Sequence, residues 1–135
     1  MTDATGAPRP RPLSPHVQVW RWHLTMATSI LHRATGSALY GGALILAAWA
    51  VSLAAGPEAY GVVMGLLGSP LGKLALFGLT LSIFYHLGNG LRHLMWDTGA
   101  GLEVKKANAS AIGVLAFTVV ATLAVWAIAA MTGAL

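Results

Sequence analysis

Polar side chains concentrate in residues 82–97, SIFYHLGNGLRHLMWD, at the end of an otherwise apolar run. At about 100° per residue in a helix, six of these side chains fall within one stripe about 100° wide, and Arg92 lies well off it. The six are Ser82, His86, Asn89, Gly90, His93 and Asp97. Ionisable groups inside a membrane helix are costly and usually face a bundle interior or a functional partner. We therefore expect this stripe to meet a buried partner.

A second polar cluster occupies residues 29–36, SILHRATG. Ser29 and Arg33 are four residues apart, so they share one face of a helix. His32 lies about 60° away from Ser29 on the same helix. The two clusters can meet near one membrane surface if their helices pair antiparallel.

Haem chemistry is one use for such a set of side chains. A neutral imidazole nitrogen binds the iron of haem b, and the haem propionates need cationic or donor groups. His86 lies deepest in apolar sequence, and Gly90 leaves room beside it for a flat macrocycle. His86 is therefore the candidate axial ligand, and His32 with Arg33 are candidate propionate partners. The residues alone leave open a hydrogen-bonded packing role for His86.

Quinone binding is a second use. A quinone carbonyl needs a hydroxyl or cationic donor in an apolar slot, and Ser29 with Arg33 supply that pair. Asp97, near water, is a candidate source of protons for quinone reduction. A packing serine and a solvated carboxylate remain the alternatives. His93 suits a propionate or a partner subunit. Arg92 points away from the stripe, and a structural role is the favoured interpretation, with contact to headgroups or a soluble partner as the alternative.

The elements that position these residues are membrane-spanning helices. The chain has 135 residues, 56% hydrophobic and 9% charged, with mean hydropathy +0.69. Three long runs lack Asp, Glu, Lys and Arg, and a spanning helix needs about 20 apolar residues. This predicts an all-α membrane protein, an up-down-up bundle of three transmembrane helices. The expected spans are about 25–55, 72–96 and 107–133, within a domain at 24–135 that follows an N-terminal arm and interfacial helix at 1–23.

The connections and the charge distribution refine this topology. The glycine- and proline-containing segment between the first two spans has room for a short helix, and Gly99 with Gly101 should end the second span. Seven of the eight Lys and Arg residues lie before the first span or around the second connection; Lys73 is the exception. This bias predicts a cytoplasmic N-terminus and a periplasmic C-terminus. The basic pI of about 10.0 then reflects topology in the bilayer and does not indicate nucleic acid.

Cysteine is absent, which excludes disulfides, iron–sulfur ligation and covalent haem attachment within this chain. Residues 1–13 resemble neither a signal peptide nor a transit peptide, so a bacterial inner-membrane protein is the expectation.

Three motifs occur in order along the chain: RPLSPH at 11–16, SILHRATG at 29–36 and HLGNGLRHLMWDTG at 86–99. In this order the chain resembles the cytochrome b membrane-anchor subunits of succinate dehydrogenase, the large membrane anchor of bacterial respiratory complex II. The resemblance covers roughly residues 9–106. The third span matches only in its hydrophobic character.

This resemblance implies a function. Two membrane subunits anchor a flavoprotein and an iron–sulfur subunit, and electrons from succinate reach ubiquinone at the membrane surface. Haem b lies between the two anchors, with one axial histidine from each. Carried over by motif, the axial ligand is His86, His32 with Arg33 contacts propionate, and Ser29, Ile30 and Arg33 line the quinone slot. Asp97 matches the motif aspartate. The resemblance assigns no catalytic residue for succinate to this chain.

Two other functions remain in view. A fumarate reductase anchor would contain the same haem and quinone sites but support the reverse reaction, quinol oxidation. A non-enzymatic scaffold or transporter subunit would use the polar stripe only to join helices, and it predicts no haem, no quinone dependence and no flavoprotein partner.

Overall fold

A computed structural model describes residues 19–133 and shows four α-helices in that range. They are α1 (Leu24–Ala55), α2 (Pro57–Gly68), α3 (Pro70–Asp97) and α4 (Val104–Met131). By length and composition α1, α3 and α4 can each cross a membrane. The predicted all-α membrane fold is confirmed.

Several sequence predictions lie outside the described residues. They include the basic residues Arg9 and Arg11, the RPLSPH motif and most of the arm and interfacial helix predicted at 1–23. Residues 20–23, the described end of the expected interfacial helix, are not helical. The proposed division into an arm and a spanning domain therefore stays a prediction.

Local sequence explains where α3 begins and ends. The Ser69 side chain caps the helix by accepting a hydrogen bond from the Gly72 amide at 3.1 Å, and Pro70 occupies the first helical position. After Asp97 the chain turns through Gly99 and Gly101, whose φ angles are +81° and +74°. Residues with a side chain rarely adopt such backbone angles, so the two glycines allow the sharp connection to α4. Their predicted role as helix breakers is confirmed.

The three spanning helices alternate in direction. The Tyr85 hydroxyl of α3 meets Thr28 near the start of α1, whereas Leu79 packs against Gly42 further along α1. Between α3 and α4, contacts run from the Arg92–Ser110 pair at one end to Trp126, which bonds Thr80, toward the other. The predicted up-down-up order follows.

We name the two ends of the bundle by their contents. The polar end holds the start of α1, the end of α3 and the start of α4. The apolar end holds the end of α1, all of α2, the start of α3 and the end of α4. The short helix α2 was expected in the connection between the first two spans, and it lies there. A groove of about 500 Å³ between α1, α2 and α3 is lined almost wholly by apolar side chains, including Leu46, Trp49 and Leu76.

Burial in this bundle is inverted relative to a water-soluble protein. The largest fully buried side chains are Asn89, Thr28 and Thr122. Large apolar side chains such as Leu44, Leu74 and Val120 are more than 60% exposed. Helices in lipid associate through small and polar residues because their apolar surfaces gain little from burial. The outer surface therefore suits lipid or another membrane subunit.

Candidate functional site: a histidine stack beside a buried arginine

Three histidine rings form a row at the polar end. The ring centroids of His32 and His86 are 3.9 Å apart, and those of His32 and His93 are 5.1 Å apart. The interplanar angles are 17° and 20°. Because His86 and His93 are two helical turns apart, about 10 Å, the His32 ring of α1 lies between them. The two polar clusters thus meet across an antiparallel helix pair, as the sequence predicted.

The His86 ring is fixed by α1 through one nitrogen. Its Nδ1 lies 3.2 Å from the main-chain oxygen of His32 and 3.3 Å from the Thr35 hydroxyl. A carbonyl oxygen only accepts, so Nδ1 carries the ring proton as donor. In the neutral ring this leaves the lone pair on Nε2. Metal-binding histidines are commonly oriented in this way, with the second nitrogen donating to a carbonyl.

Gly36 makes room for the His86 ring. A Cβ atom at position 36 would lie 3.1 Å from Cε1 and 3.7 Å from Nδ1 of that ring. Any side chain here would therefore crowd His86. By contrast, a Cβ at Gly90 would meet nothing within 4 Å, so Gly90 faces an open side of the helix pair.

Arg92 lies inside the bundle, in agreement with the favoured structural role, and the alternative that it points to headgroups or a soluble partner is wrong. Its side chain is 4% exposed. It donates four hydrogen bonds of 3.0–3.1 Å, to Ser110 Oγ, Thr28 Oγ1, Asn89 Oδ1 and the Ala107 carbonyl. The guanidinium carbon also lies 4.0 Å from the centroid of the Trp96 ring. Arg92 thus joins α1, α3 and α4.

The buried face of α3 explains this difference. It consists of Ser82, Tyr85, Asn89 and Arg92. This face is rotated by about 70° from the stripe expected from sequence. His86 and His93 are half-buried at its border, and Asp97 is exposed beyond the bundle interior. Helix α4 packs on the other flank of α3, and the interior between the helices therefore includes Arg92.

The expected quinone residues lie on the outer side of the start of α1. Ser29 is half-buried, Arg33 is exposed and Ile30 is 44% exposed. Within residues 19–133 no side-chain hydrogen bond joins any of them to the histidine row. The expected proton source Asp97 ends α3 and is exposed as well.

Sequence reasoning did not single out Tyr85, Thr28, Ser110 or Trp96. The Tyr85 hydroxyl donates to the Thr28 carbonyl at 2.6 Å, and the Trp96 ring lies edge-on to His93 with centroids 5.2 Å apart. One signal was available. The 3-4-3 spacing of polar and aromatic residues at 82, 85, 89 and 92 is the spacing of a single helix face.

The donor set is unsuited to a bare metal ion. Within residues 19–133 no group of three or more His, Cys, Asp or Glu side chains could hold one. Each histidine of the row can instead provide one imidazole nitrogen to a bound group. Fold and site together define a multi-pass α-helical membrane protein with an aromatic and cationic cluster built where three spanning helices meet.

Comparison with known proteins agrees with this class. Residues 7–125 match the family described as succinate dehydrogenase/fumarate reductase transmembrane subunit. The chain is 42% identical over 110 residues to the succinate dehydrogenase cytochrome b556 subunit of Paracoccus denitrificans, covering 82% of this chain and 85% of that protein. It is 43% identical over 115 residues to the human mitochondrial cytochrome b560 subunit, covering 84% and 68%. A third relative, the cytochrome b556 subunit of Rickettsia felis, is 34% identical over 116 residues, covering 86% and 90%.

The chain belongs to the family of succinate dehydrogenase/fumarate reductase transmembrane subunits. The resemblance to the cytochrome b anchor subunits of complex II is confirmed. Membership places the chain in an oxidoreductase complex as a membrane subunit. The comparisons support neither the scaffold nor the transporter alternative, and the named relatives are succinate dehydrogenase subunits.

Proposed function

We propose that this chain anchors a succinate:quinone oxidoreductase in the bacterial inner membrane and holds haem b together with a second anchor subunit. The observation that best supports the proposal is the fixed His86 ring. Its Nδ1 is held by the His32 carbonyl, and its Nε2 lone pair is left to bind iron. When bound there, haem b supplies one-electron transfer.

The surroundings of His86 fit a haem. Gly36 packs on one edge of the ring, and Gly90, one turn further along the same face of α3, meets open space where a flat group would fit. The chain offers one deep histidine, so a second histidine from the partner anchor would complete the haem site. A haem held by both subunits would supply electron transfer.

His32, His93 and Arg33 are the proposed propionate partners. Nδ1 of His32 is buried without a hydrogen-bond partner among residues 19–133. Its ring is therefore best satisfied with the proton on Nε2, which then acts as donor to a carboxylate. His93 donates from Nδ1 to the Asn89 carbonyl at 2.8 Å, which fixes its orientation. Arg33, exposed one residue after His32, adds a positive charge at the same level.

Ser29, Ile30 and Arg33 form this chain's part of the quinone site. Ser29 and Arg33 donate hydrogen bonds to a ubiquinone carbonyl, and the half-exposed Ile30 contacts the ring or tail. Reduction of a quinone to a quinol takes up two protons. Asp97, exposed at the membrane surface, relays protons from water to that region.

The partners follow from the same function. A flavoprotein and an iron–sulfur subunit bind the polar end, because succinate is oxidised outside the membrane and this chain has no residues for that reaction. The positive residues around the polar end favour its cytoplasmic placement. The C-terminus then faces the periplasm.

Purification of the complex through a tag on this chain tests the function. We expect a flavoprotein, an iron–sulfur protein and a second small membrane protein to co-purify with a b-type haem that succinate reduces. Isolation of the chain without a flavoprotein would contradict the proposal.

A split assay tests the quinone site. Ser29→Ala should lower succinate-driven ubiquinone reduction at least tenfold and leave reduction of a soluble artificial acceptor unchanged. Ser37→Ala is the matched control, since Ser37 is an exposed α1 serine that bonds only its own helix at Arg33 O. Equal loss of both activities in the Ser29 variant would indicate misassembly and contradict its assigned role.

A further inference from the structure

We propose that Arg92 is a positioning residue for the histidine row and that its uncompensated positive charge raises the reduction potential of the haem. The inference rests on the proposed function, because it requires haem bound by His86. It concerns a residue on the opposite flank of α3 from the haem-binding side.

The charge of Arg92 is not neutralised by its neighbours. A guanidinium stays protonated in proteins. Its four hydrogen-bond acceptors are two hydroxyls, an amide oxygen and a main-chain carbonyl, and all are neutral. Among residues 19–133 the one ion pair joins Lys106 and Glu103. Burial of a full charge in a membrane domain is costly, so four well-formed bonds are what make it tolerable.

Two routes connect this cation to the histidine row. Asn89 accepts from Arg92 through its side chain, and its main-chain oxygen accepts from Nδ1 of His93. Trp96 lies under the guanidinium with one face and meets the His93 ring edge-on. His93 in turn stacks on His32, which stacks on His86.

The sign of the electrostatic effect follows from Coulomb's law. Arg92 and His86 are six residues apart, about 9 Å along the helix axis. Between a buried group and a half-buried one the interaction is screened by salt less than at an exposed surface, and it is stronger than in water. Reduction adds one negative charge to the haem, and a nearby cation stabilises that form. Neutralising Arg92 should therefore lower the haem midpoint potential.

The direct test neutralises the charge without removing the arginine. Ser110→Asp places a carboxylate where a hydroxyl now accepts from Arg92 Nε at 3.0 Å. Ser110→Asn is the matched neutral control. In the purified four-subunit complex, we measure the b-haem midpoint potential by spectroscopically monitored redox titration. We expect a shift to lower potential in the Asp variant and no shift in the Asn variant.

Equal potentials in the two Ser110 variants would overturn the proposal. Failure of only the Asp variant to assemble would also contradict it, because a carboxylate beside an uncompensated buried cation should be favourable. If neither variant assembles, Arg92→Gln and Arg92→Lys decide the question. The Gln variant should lower the potential and the charged Lys variant should largely keep it; equal potentials, or loss of assembly in the Lys variant alone, contradict the proposal.

A second control separates charge from structural loosening. Tyr85→Phe removes the neighbouring α3–α1 hydrogen bond to Thr28 and leaves the arginine in place. Its haem potential should equal that of the unmodified complex, and a shift as large as that of Ser110→Asp would assign the effect to packing. A complex that lacks b-type haem altogether would contradict the proposed function and this inference with it, whereas a b-type haem with equal potentials in the two Ser110 variants would overturn this inference alone.

Discussion

At the polar end the three spanning helices are joined through one buried arginine, whereas at the apolar end they meet through glycine, leucine and aromatic side chains. Arg92 reaches α1 and α4 with four hydrogen bonds. At the apolar end Leu79 packs on Gly42, and the Phe77 and Trp126 rings meet edge-on with centroids 5.2 Å apart. Within residues 19–133, one interhelical side-chain hydrogen bond lies there, from Trp126 to Thr80 at 3.3 Å.

The difference shows that this chain concentrates its interhelical polar contacts at one end of the bundle. Directional hydrogen bonds set both distance and orientation, while apolar packing in lipid sets mainly distance. The polar end also holds the His86 ring that we assign to the haem. We infer that the polar end is the more rigid half and that the apolar end serves as a scaffold.

The largest loss of stability is expected from substitution of Arg92. Arg92→Met keeps much of the side-chain volume but leaves three side-chain acceptors and one carbonyl without their donor. The cost should be on the order of 2–4 kcal/mol. Thermal or denaturant unfolding of the purified complex measures it. The matched change at the apolar end, Trp126→Phe, breaks one long hydrogen bond and should cost about 1 kcal/mol or less. Equal costs would remove the distinction between the two ends.

The glycines provide a second contrast. Gly36→Ala puts a Cβ against the His86 ring, which is tied to α1, so we expect a loss of about 1–2 kcal/mol and a perturbed haem absorption spectrum. Gly42→Ala puts a Cβ 2.9 Å from Leu79 Cδ2, the end of a side chain that can rotate away. That variant should keep the normal spectrum. A perturbed spectrum in Gly42→Ala alone would reverse the assignment of the ends.

Single hydroxyl groups sharpen the comparison further. Tyr85→Phe removes a buried 2.6 Å bond to a main-chain carbonyl, and the expected cost is about 0.5–1.5 kcal/mol. Thr80→Val removes the longer bond from Trp126 and should cost less. The two variants are compared by the shift in unfolding midpoint of the same complex. A larger shift for Thr80→Val would show that the apolar end is the better-fixed half.

The smallest effect is expected for an exposed ion pair at the polar end. Lys106 and Glu103 pair at 2.9 Å with both side chains more than 60% exposed. Lys106→Ala should change the free energy of unfolding by less than about 0.5 kcal/mol, because solvent screens the pair. A loss comparable to that of Arg92→Met would show that surface charges, and not the buried arginine, stabilise this end.

The sequence was sufficient for the spans and for the meeting of the two polar clusters. Charge-free runs of spanning length and the glycines at 99 and 101 determined the helices. The buried position of Arg92, in contrast, did not follow from the sequence. Helical periodicity gives the angles between side chains on one helix, but it does not give the direction of the bundle interior. That direction depends on where α4 packs, and the third span carries no pattern strong enough to locate it.

The candidate site was predictable to a similar degree. His32, His86 and His93 were expected near one another, and they form a row. The stacking order and the carbonyl that holds His86 depend on side-chain geometry across two helices, which sequence spacing does not specify. The contribution of Ser110 and Ala107 of α4 to the arginine network was likewise not predictable, because the third span shows only hydrophobic character in the sequence. The roles assigned to Ser29, Ile30, Arg33 and Asp97 stay predictions.

The reduced-minus-oxidised absorption spectrum of the complex carrying His86→Leu tests the central claim most directly. His23→Gln is the matched control, since His23 is exposed just before α1 and makes no side-chain cap. If the polar end supplies half of a haem site, the b-type band is lost or strongly shifted in the His86 variant and unchanged in the His23 variant, with all subunits still assembled. An unaltered b-type band in assembled His86→Leu complex would contradict the account.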